Sequence, residues 1–185
     1  MCSYAAKLLD GFYNSFDAGD VRKDLIISSC IDNAGKTISL LNSNNTRSFK
    51  YWPDPAAAVA LDGNDIPEIR YADTLLSCAE ALNELTDPNS PALDLINEVR
   101  RRTKLSNKLL SDLPTKELFR DHILKERGWE FYYEGQRRND SIRMDKFVSS
   151  DIARGKTNAK PSHVLFPIPQ ISLTANPQLV QNTGY

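Results

Sequence analysis

The sequence has no excess of charge of either sign and no long hydrophobic run. Its 185 residues hold 23 Lys and Arg against 24 Asp and Glu, which gives a formal net charge of −1. Nucleic-acid-binding proteins usually carry a clustered positive excess, so this balance predicts no nucleic-acid partner. The longest purely apolar run covers residues 56–61, far short of the roughly 20 residues that a helix needs to cross a bilayer.

Cysteine and histidine are scarce. The three cysteines and two histidines lack the spacing that a zinc site or a disulfide framework requires. We therefore expect no bound metal and no cofactor. Cys78 lies on the apolar side of a predicted helix, where we expect a small buried side chain. His122 is interpreted as a packed helix residue rather than a ligand.

Motifs of known catalytic chemistry are also missing. The chain has no glycine-rich dinucleotide or phosphate loop, no HExxH and no GxSxG. Its first residues show no basic segment followed by an apolar one, so we expect no secretory signal or anchor in this chain.

The N-terminal third predicts a short helix, two strands and a loop region. Apolar residues at helical spacing favour a helix over residues 5–16. Residues 25–29 and 36–41 predict two strands, joined by a turn at residues 32–35. Residues 42–67 contain several Asn and Pro without a strong period, which indicates an ordered loop region.

The middle of the chain predicts a helical hairpin. Residues 68–85 place apolar side chains on one half of a helix and charged side chains on the other. After a short turn, Ser90 is a suitable N-cap and Pro91 suits the first position of a second helix over residues 91–104. The pair has the size of a tetratricopeptide unit, although the chain shows no second copy.

A third long helix follows. Thr115 is a suitable N-cap for a helix that runs to Glu134, and residues 136–146 predict a shorter helix. Prolines from residue 160 onward predict an extended or looped tail. We therefore expect a mainly α fold with a small β-hairpin and long ordered loops. Its expected parts are 1–67 (helix, hairpin and loop), 68–146 (helical core) and 147–185 (tail), all within one partial domain.

Charged residues interrupt the apolar face of the third helix. Glu126 and Glu130 lie four residues apart on that face, and Glu134 lies at its edge. Carboxylates are rarely buried unless they are paired, so we predict a structural network of charge pairs that fixes helix packing. Its predicted members are Arg100, Glu126, Arg127, Glu130, Glu134, Arg137 and Asp140.

The alternative for these carboxylates is catalytic, because glycoside hydrolases use a pair of them as acid and base. Nearby arginines are expected to lower the pKa of a carboxyl group, whereas a general acid needs a raised pKa. The sequence therefore favours the structural role and assigns no catalytic residue.

Five parts of the chain match motifs of one known family in order. Residues 66–84 resemble iPxxRYADxLLxxAEAxNE, residues 92–102 resemble AxxxiNxVRxRa, and residues 123–140 resemble IxxERxxEfxxEGxRxxDLxR. The other matches are the DxR at residues 20–22 and the closing PIP…NPxLxQNpGY at residues 166–169 and 176–185. Small departures are Gly128 after the Glu-Arg pair and Ser141 in place of Leu. Together the segments resemble the SusD/RagB family, the glycan-binding outer-membrane lipoproteins of Bacteroidota.

The resemblance implies a fold and a function. It implies an α-rich scaffold of tetratricopeptide-like helix pairs, of which this chain would be the C-terminal part. It also implies a non-catalytic protein that passes oligosaccharides to a SusC-like TonB-dependent transporter. The surface location and the membrane-attaching lipid anchor would belong to the full-length parent.

Sugars are recognised by aromatic faces and polar groups. Tyr51 and Trp52 are therefore the candidate ligand-binding residues, although they could instead cover the helical core. A helical protein-interaction module without sugar affinity is the alternative function, and a glycoside hydrolase is a weaker one.

Overall fold

The computed structural model describes residues 7–52, 54–56 and 63–185. The chain divides into two compact units, Met1–Gln136 and Arg137–Tyr185, which are described separately below. Helices outnumber strands among the described residues, so the predicted mainly α class is confirmed. The division into 1–67, 68–146 and 147–185 stays a prediction.

The secondary structure of the described residues is as follows. The strands are β1 (Lys7–Leu8), β2 (Ile26–Ile27), β3 (Ser29–Ile31), β4 (Thr37–Ser39) and β5 (Thr46–Ser48). The α-helices are α1 (Asp10–Asn14), α2 (Tyr71–Leu85), α3 (Ser90–Arg102), α4 (Lys116–Glu130), α5 (Arg137–Arg143), α6 (Phe147–Ala153) and α7 (Gln170–Ala175). Short 3₁₀ helices cover Val21–Leu25, Leu110–Asp112 and Pro161–Val164.

The predicted helical hairpin is present as α2 and α3, which pack against each other while α4 packs on α2. Leu76, Ala79 and Ile96 on the pair have no exposed surface. The N-cap of α3 is Asn89 rather than the predicted Ser90, because the Asn89 side chain accepts a hydrogen bond from the Ala92 N–H at 2.9 Å. Ser90 itself already belongs to the helix, so the prediction was wrong by one residue.

The third long helix starts as predicted and ends earlier. Thr115 caps α4 by accepting a hydrogen bond from the Leu118 N–H at 3.2 Å. The helix stops at Glu130 rather than Glu134, and residues 131–135 form a turn. Tyr133 and Gly135 there have φ of 65° and 76°, which lie outside the right-handed helical region and end the helix.

The N-terminal helix is shorter than predicted. Residues 5 and 6 lie outside the described residues, and β1 takes residues 7 and 8 into a sheet, so only α1 is helical. The sheet has the antiparallel order β1-β5-β2, with Leu8 opposite Thr46 and Ile26 opposite Ser48. Strand β5 was missed, since the sequence predicted a loop over residues 42–67. Three residues are too few to show a strand period.

A hairpin forms at the predicted turn from β3 and β4, but its first strand is Ser29–Ile31 rather than residues 25–29. Within that predicted strand, Ile26 and Ile27 form β2 and pair with β5 instead. In its turn the Asp32 carboxylate accepts hydrogen bonds from the N–H groups of Ala34 and Lys36, both at 2.9 Å. Gly35 has φ of 79°, a conformation that glycine adopts without steric cost.

Two side chains lie outside the expected core. Cys78 is exposed rather than buried. Helical periodicity places Leu118 on the apolar face of the third helix, yet it is 49% exposed. The helices that pack on α2 and α4 cover only part of each predicted arc, which leaves residues at its edge in contact with solvent.

An aromatic cluster joins the N-terminal segment to the end of α4. Phe16, Ile26, Trp129 and Tyr132 are all buried there. The rings of Phe16 and Tyr132 meet edge to face, with centroids 6.2 Å apart. The Trp129 Nε1–H donates a hydrogen bond to the Ser15 hydroxyl at 3.0 Å.

The second unit contains more helix than the predicted extended tail. Helices α6 and α7 and the 3₁₀ turn at Pro161–Val164 were missed, because each is too short to show a clear period. The Arg138 guanidinium lies 4.2 Å from the Phe166 ring centroid and donates to the Val164 carbonyl at 3.0 Å. The Gln181 side-chain amide bonds both the N–H and the C=O of Ile168, which orders the tail.

Candidate functional site

Charged side chains of the first unit form a connected set, which we call the central ion network. It contains equal numbers of acidic and basic residues among those described. The acidic members are Asp17, Asp20, Glu126, Glu130 and Glu134, and the basic members are Arg22, Lys50, Arg70, Arg100 and Arg102. The formal charges of its members therefore cancel.

Glu126 lies at the centre of the network and has no exposed surface. Its Oε1 is 2.8 Å from Nη1 of Arg22, and its Oε2 is 3.2 Å from Nη1 of Arg100. Burial raises the pKa of Glu126, while the two arginines act in the opposite direction. The expectation that arginines would leave this pKa lowered was wrong, because desolvation outweighs the ion pairs.

Arg22 links the N-terminal segment to α4. Its guanidinium lies 2.6 Å from Asp20, 2.8 Å from Glu126 and 3.3 Å from Glu130. Asp20 also caps the 3₁₀ helix Val21–Leu25 by accepting a hydrogen bond from the backbone N–H of Arg22. Arg22 and its carboxylate partners are buried, so this arginine contacts three charges that water does not screen.

Glu130 and Glu134 form ion pairs with the other basic residues of the network. The Arg70 guanidinium lies 2.7 Å from Glu130 and 2.8 Å from Glu134. Arg102 reaches Glu130 at 2.5 Å, and Lys50 pairs with Glu134. Burial acts to lower the pKa of Arg70, but its bonds to the two glutamates outweigh it and the pKa is raised. Burial lowers the pKa of Lys50.

The other predicted members of the network lie elsewhere. Arg127 pairs with Asp73 on α2 at 2.6 Å. Arg137 and Asp140 belong to the second unit, where buried Asp140 pairs with Arg143 at 3.0 Å. Burial and the nearby Arg154 lower the pKa of Arg137.

His122 is a packed helix residue. It is buried on α4, and its Nε2 lies 3.8 Å from Oε2 of Glu126. Burial lowers its pKa to about 4, so the imidazole is neutral near pH 7.

Sequence reasoning missed six members of the network: Asp17, Asp20, Arg22, Lys50, Arg70 and Arg102. Arg22 and Arg70 stand inside two of the family motifs, so their positions carried a usable signal. Lys50 lies 84 residues before its partner Glu134 in the sequence. No periodicity in the sequence connects two positions that far apart.

The two candidate ligand residues lie in two different aromatic contacts. Trp52 is 63% exposed, and its ring centroid is 5.5 Å from that of Phe49. Tyr51 is half-buried, and its ring centroid is 6.0 Å from that of Tyr133. The Asn64 side-chain amide donates to the Trp52 carbonyl at 2.5 Å, which fixes the backbone at this position.

No group of three or more His, Cys, Asp or Glu suited to a metal ion occurs within residues 7–52, 54–56 and 63–185.

Among the described helices, none has the length and apolar character needed to cross a bilayer.

Comparison with known proteins decides the family. The model of the SusD family matches residues 48–159. The chain belongs to the SusD family. It is 34% identical over 133 residues to SusD-like protein P38 of Formosa agariphila, an alignment that covers 68% of this chain and 26% of that relative. It is 28% identical over 138 residues to the starch-binding protein SusD of Bacteroides thetaiotaomicron, which covers 71% of this chain and 23% of the relative.

Solved structures share the fold. A SusD homolog from Bacteroides thetaiotaomicron aligns with a TM-score of 0.69 and 27% identity, over 91% of this chain and 41% of that one. NanU of B. fragilis aligns with a TM-score of 0.67 and 30% identity, over 96% of this chain and 39% of that one. The SusD-like fold expected from the sequence is therefore confirmed. The chain spans about a quarter of the length of the curated relatives it matches.

Proposed function

We propose that this SusD-family chain is part of a glycan-binding protein of an outer-membrane nutrient uptake system. Membership of the family carries the proposal, together with the similarity to a protein named for starch binding. In this role the α2–α3–α4 layer is a scaffold, and the central ion network holds the N-terminal segment on it.

The chain is proposed to be non-catalytic. Glu126 is fully buried, and Glu130 is 2% exposed. A glycoside hydrolase needs two carboxyl groups that reach the scissile bond, so the burial of this pair supports a structural role. Release of reducing sugar from any oligosaccharide by the purified chain would contradict it.

The proposed ligand contacts are Tyr51 and Trp52. An exposed indole offers a flat apolar face to the C–H surface of a sugar ring, and Trp52 has the required exposure. Tyr51 adjoins it in sequence, beside Tyr133.

Isothermal titration of the purified chain with a panel of oligosaccharides tests this function. We expect at least one sugar to bind and Trp52→Ala to weaken that binding about fivefold or more, as the loss of one aromatic contact implies. Phe166→Ala is a matched control, because Phe166 is 71% exposed in the second unit. Equal affinity of the wild-type chain and Trp52→Ala would remove Trp52 from the site.

Delivery of the sugar to a SusC-like TonB-dependent transporter is also proposed, on the family resemblance. Co-purification of the chain with such a transporter from solubilised outer membranes is the test. Transporter binding without affinity for any sugar would favour the alternative, a protein-interaction module.

A further inference from the structure

Tyr133 occupies a strained backbone position in the turn that follows α4. Its φ is 65°, in the left-handed region that residues with a Cβ disfavour. Two residues later the same turn uses Gly135 at φ 76°, which carries no such cost. A bulky residue is retained at such a position only where its surroundings enforce it, and these positions cluster at functional sites.

Two cations bind the residues on both sides of Tyr133, through main-chain carbonyls before it and a carboxylate after it. Lys50 Nζ donates to the carbonyl oxygens of Glu130 at 2.5 Å and Tyr132 at 3.3 Å. Arg70 donates to the same Glu130 carbonyl at 3.0 Å and to the Glu134 carboxylate at 2.8 Å. The ring of Tyr133 is therefore presented by a fixed turn, so a ligand that stacks on it loses little conformational entropy in ordering the site.

The Tyr133 ring contacts one neighbouring aromatic ring and belongs to a half-exposed residue. Its centroid lies 6.0 Å from that of Tyr51, with 49° between the ring planes. The residue is nevertheless 50% exposed. Trp52 packs on Phe49 instead, so Tyr133 offers an aromatic surface in addition to that of Trp52.

We propose that Tyr133 is a sugar-stacking residue that takes an uncharged pyranose ring. The charges beside it are already paired, since Glu134 binds Arg70 and Lys50. The charged side chain of this turn is therefore not available to select an ionic ligand. A pyranose combines an apolar C–H face for the ring with hydroxyls that remain in water. This inference rests on the proposed glycan-binding function and adds a residue and a ligand class to it.

The test separates the ring from the backbone position. Tyr133→Asn removes the ring and places a residue that tolerates left-handed φ, whereas Tyr133→Phe keeps the ring. Titration of neutral gluco-oligosaccharides is expected to give a dissociation constant about fivefold or more higher for Tyr133→Asn and within about twofold of wild type for Tyr133→Phe. Thermal unfolding of both variants should stay cooperative, and Tyr133→Leu supplies a second variant without the ring.

Lys104→Asn is the matched control. Lys104 is an exposed residue of the same unit with φ of 61°, so this substitution repeats the backbone change without removing an aromatic ring. Its affinity should equal that of the wild type.

Unchanged affinity of both variants without the ring would overturn the inference while the proposed function stands. Equal loss in Lys104→Asn would also overturn it. Preferential binding of oligogalacturonate, an anionic glycan, at Tyr133 would contradict the ligand class. If the wild-type chain bound no sugar in the panel, the proposed function itself would fail.

Discussion

Removal of the Arg22 guanidinium is expected to destabilise the first unit strongly. This side chain lies within 3.3 Å of three buried carboxylates. In Arg22→Met the two glutamates keep other arginine partners, while Asp20 loses the guanidinium that binds both of its oxygens. Breaking a buried ion pair leaves an uncompensated charge and costs about 3–5 kcal/mol, which is the expected loss in free energy of unfolding.

Urea unfolding at pH 7, followed by far-UV circular dichroism, measures this loss. Arg120→Met is the matched control, because Arg120 pairs with Glu84 at 2.7 Å where both side chains are partly exposed. Such a pair is worth about 0–1 kcal/mol. The free energy of unfolding lost in the double variant Asp20→Asn/Arg22→Met should be smaller than the sum of the losses in the two single variants, by at least about 1 kcal/mol. If Arg22→Met cost no more than Arg120→Met, the stabilising role of the network would be refuted.

Three further predictions each concern a single residue. Because burial lowers the pKa of His122 to about 4, its contribution to stability is complete above pH 6.5 and is lost as the pH falls towards 4. In His122→Gln the free energy of unfolding from urea titrations should therefore fall less between pH 6.5 and pH 4, by up to about 3 kcal/mol. An unchanged pH dependence would contradict the lowered pKa of His122. Asn89→Ala removes the α3 cap and should cost about 1 kcal/mol in the same assay, with Asn107→Ala as an exposed control. Exposed Cys78 should react with a maleimide in the folded chain, as peptide mass spectrometry would show, and protection equal to that of a buried thiol would count against the α2 packing.

The helical layer was predictable because its information is local. A period of 3.6 residues marks α2, α3 and α4, and the short polar residue Thr115 marks a helix start. The same local patterns also placed the N-cap of α3 and the end of α4 a few residues away from their observed positions. Asn89 and Ser90 are both suitable caps, and only the backbone geometry decides between them. The strained residue Tyr133 ended α4 four residues early, although nothing in its side chain indicates a left-handed φ.

The candidate site was predictable only in part, because its contacts are distant in sequence. The position of Glu126 on an apolar face indicated burial correctly. Its partner Arg22 lies on another segment, and that contact depends on how the chain packs. The net direction of the Glu126 pKa depends on the balance between desolvation and two arginines, which a helical wheel cannot supply. Lys50 and Arg70 support the turn through long-range contacts that the sequence does not show: Lys50 donates to the Tyr132 carbonyl, and Arg70 binds the Glu134 carboxylate.

The contact between Arg22 and Glu130 joins residues 108 positions apart. At a synthesis rate of about 5–20 residues per second, Glu130 is made roughly 5–20 s after Arg22. During that interval Arg22 has no α4 to pair with, and the aromatic residues beside it have no Trp129 to cover them. During synthesis, the N-terminal segment of the first unit therefore cannot form its contacts with α4 until that helix has been made. The interval is long enough for chaperones to act on this segment before the rest of the fold exists.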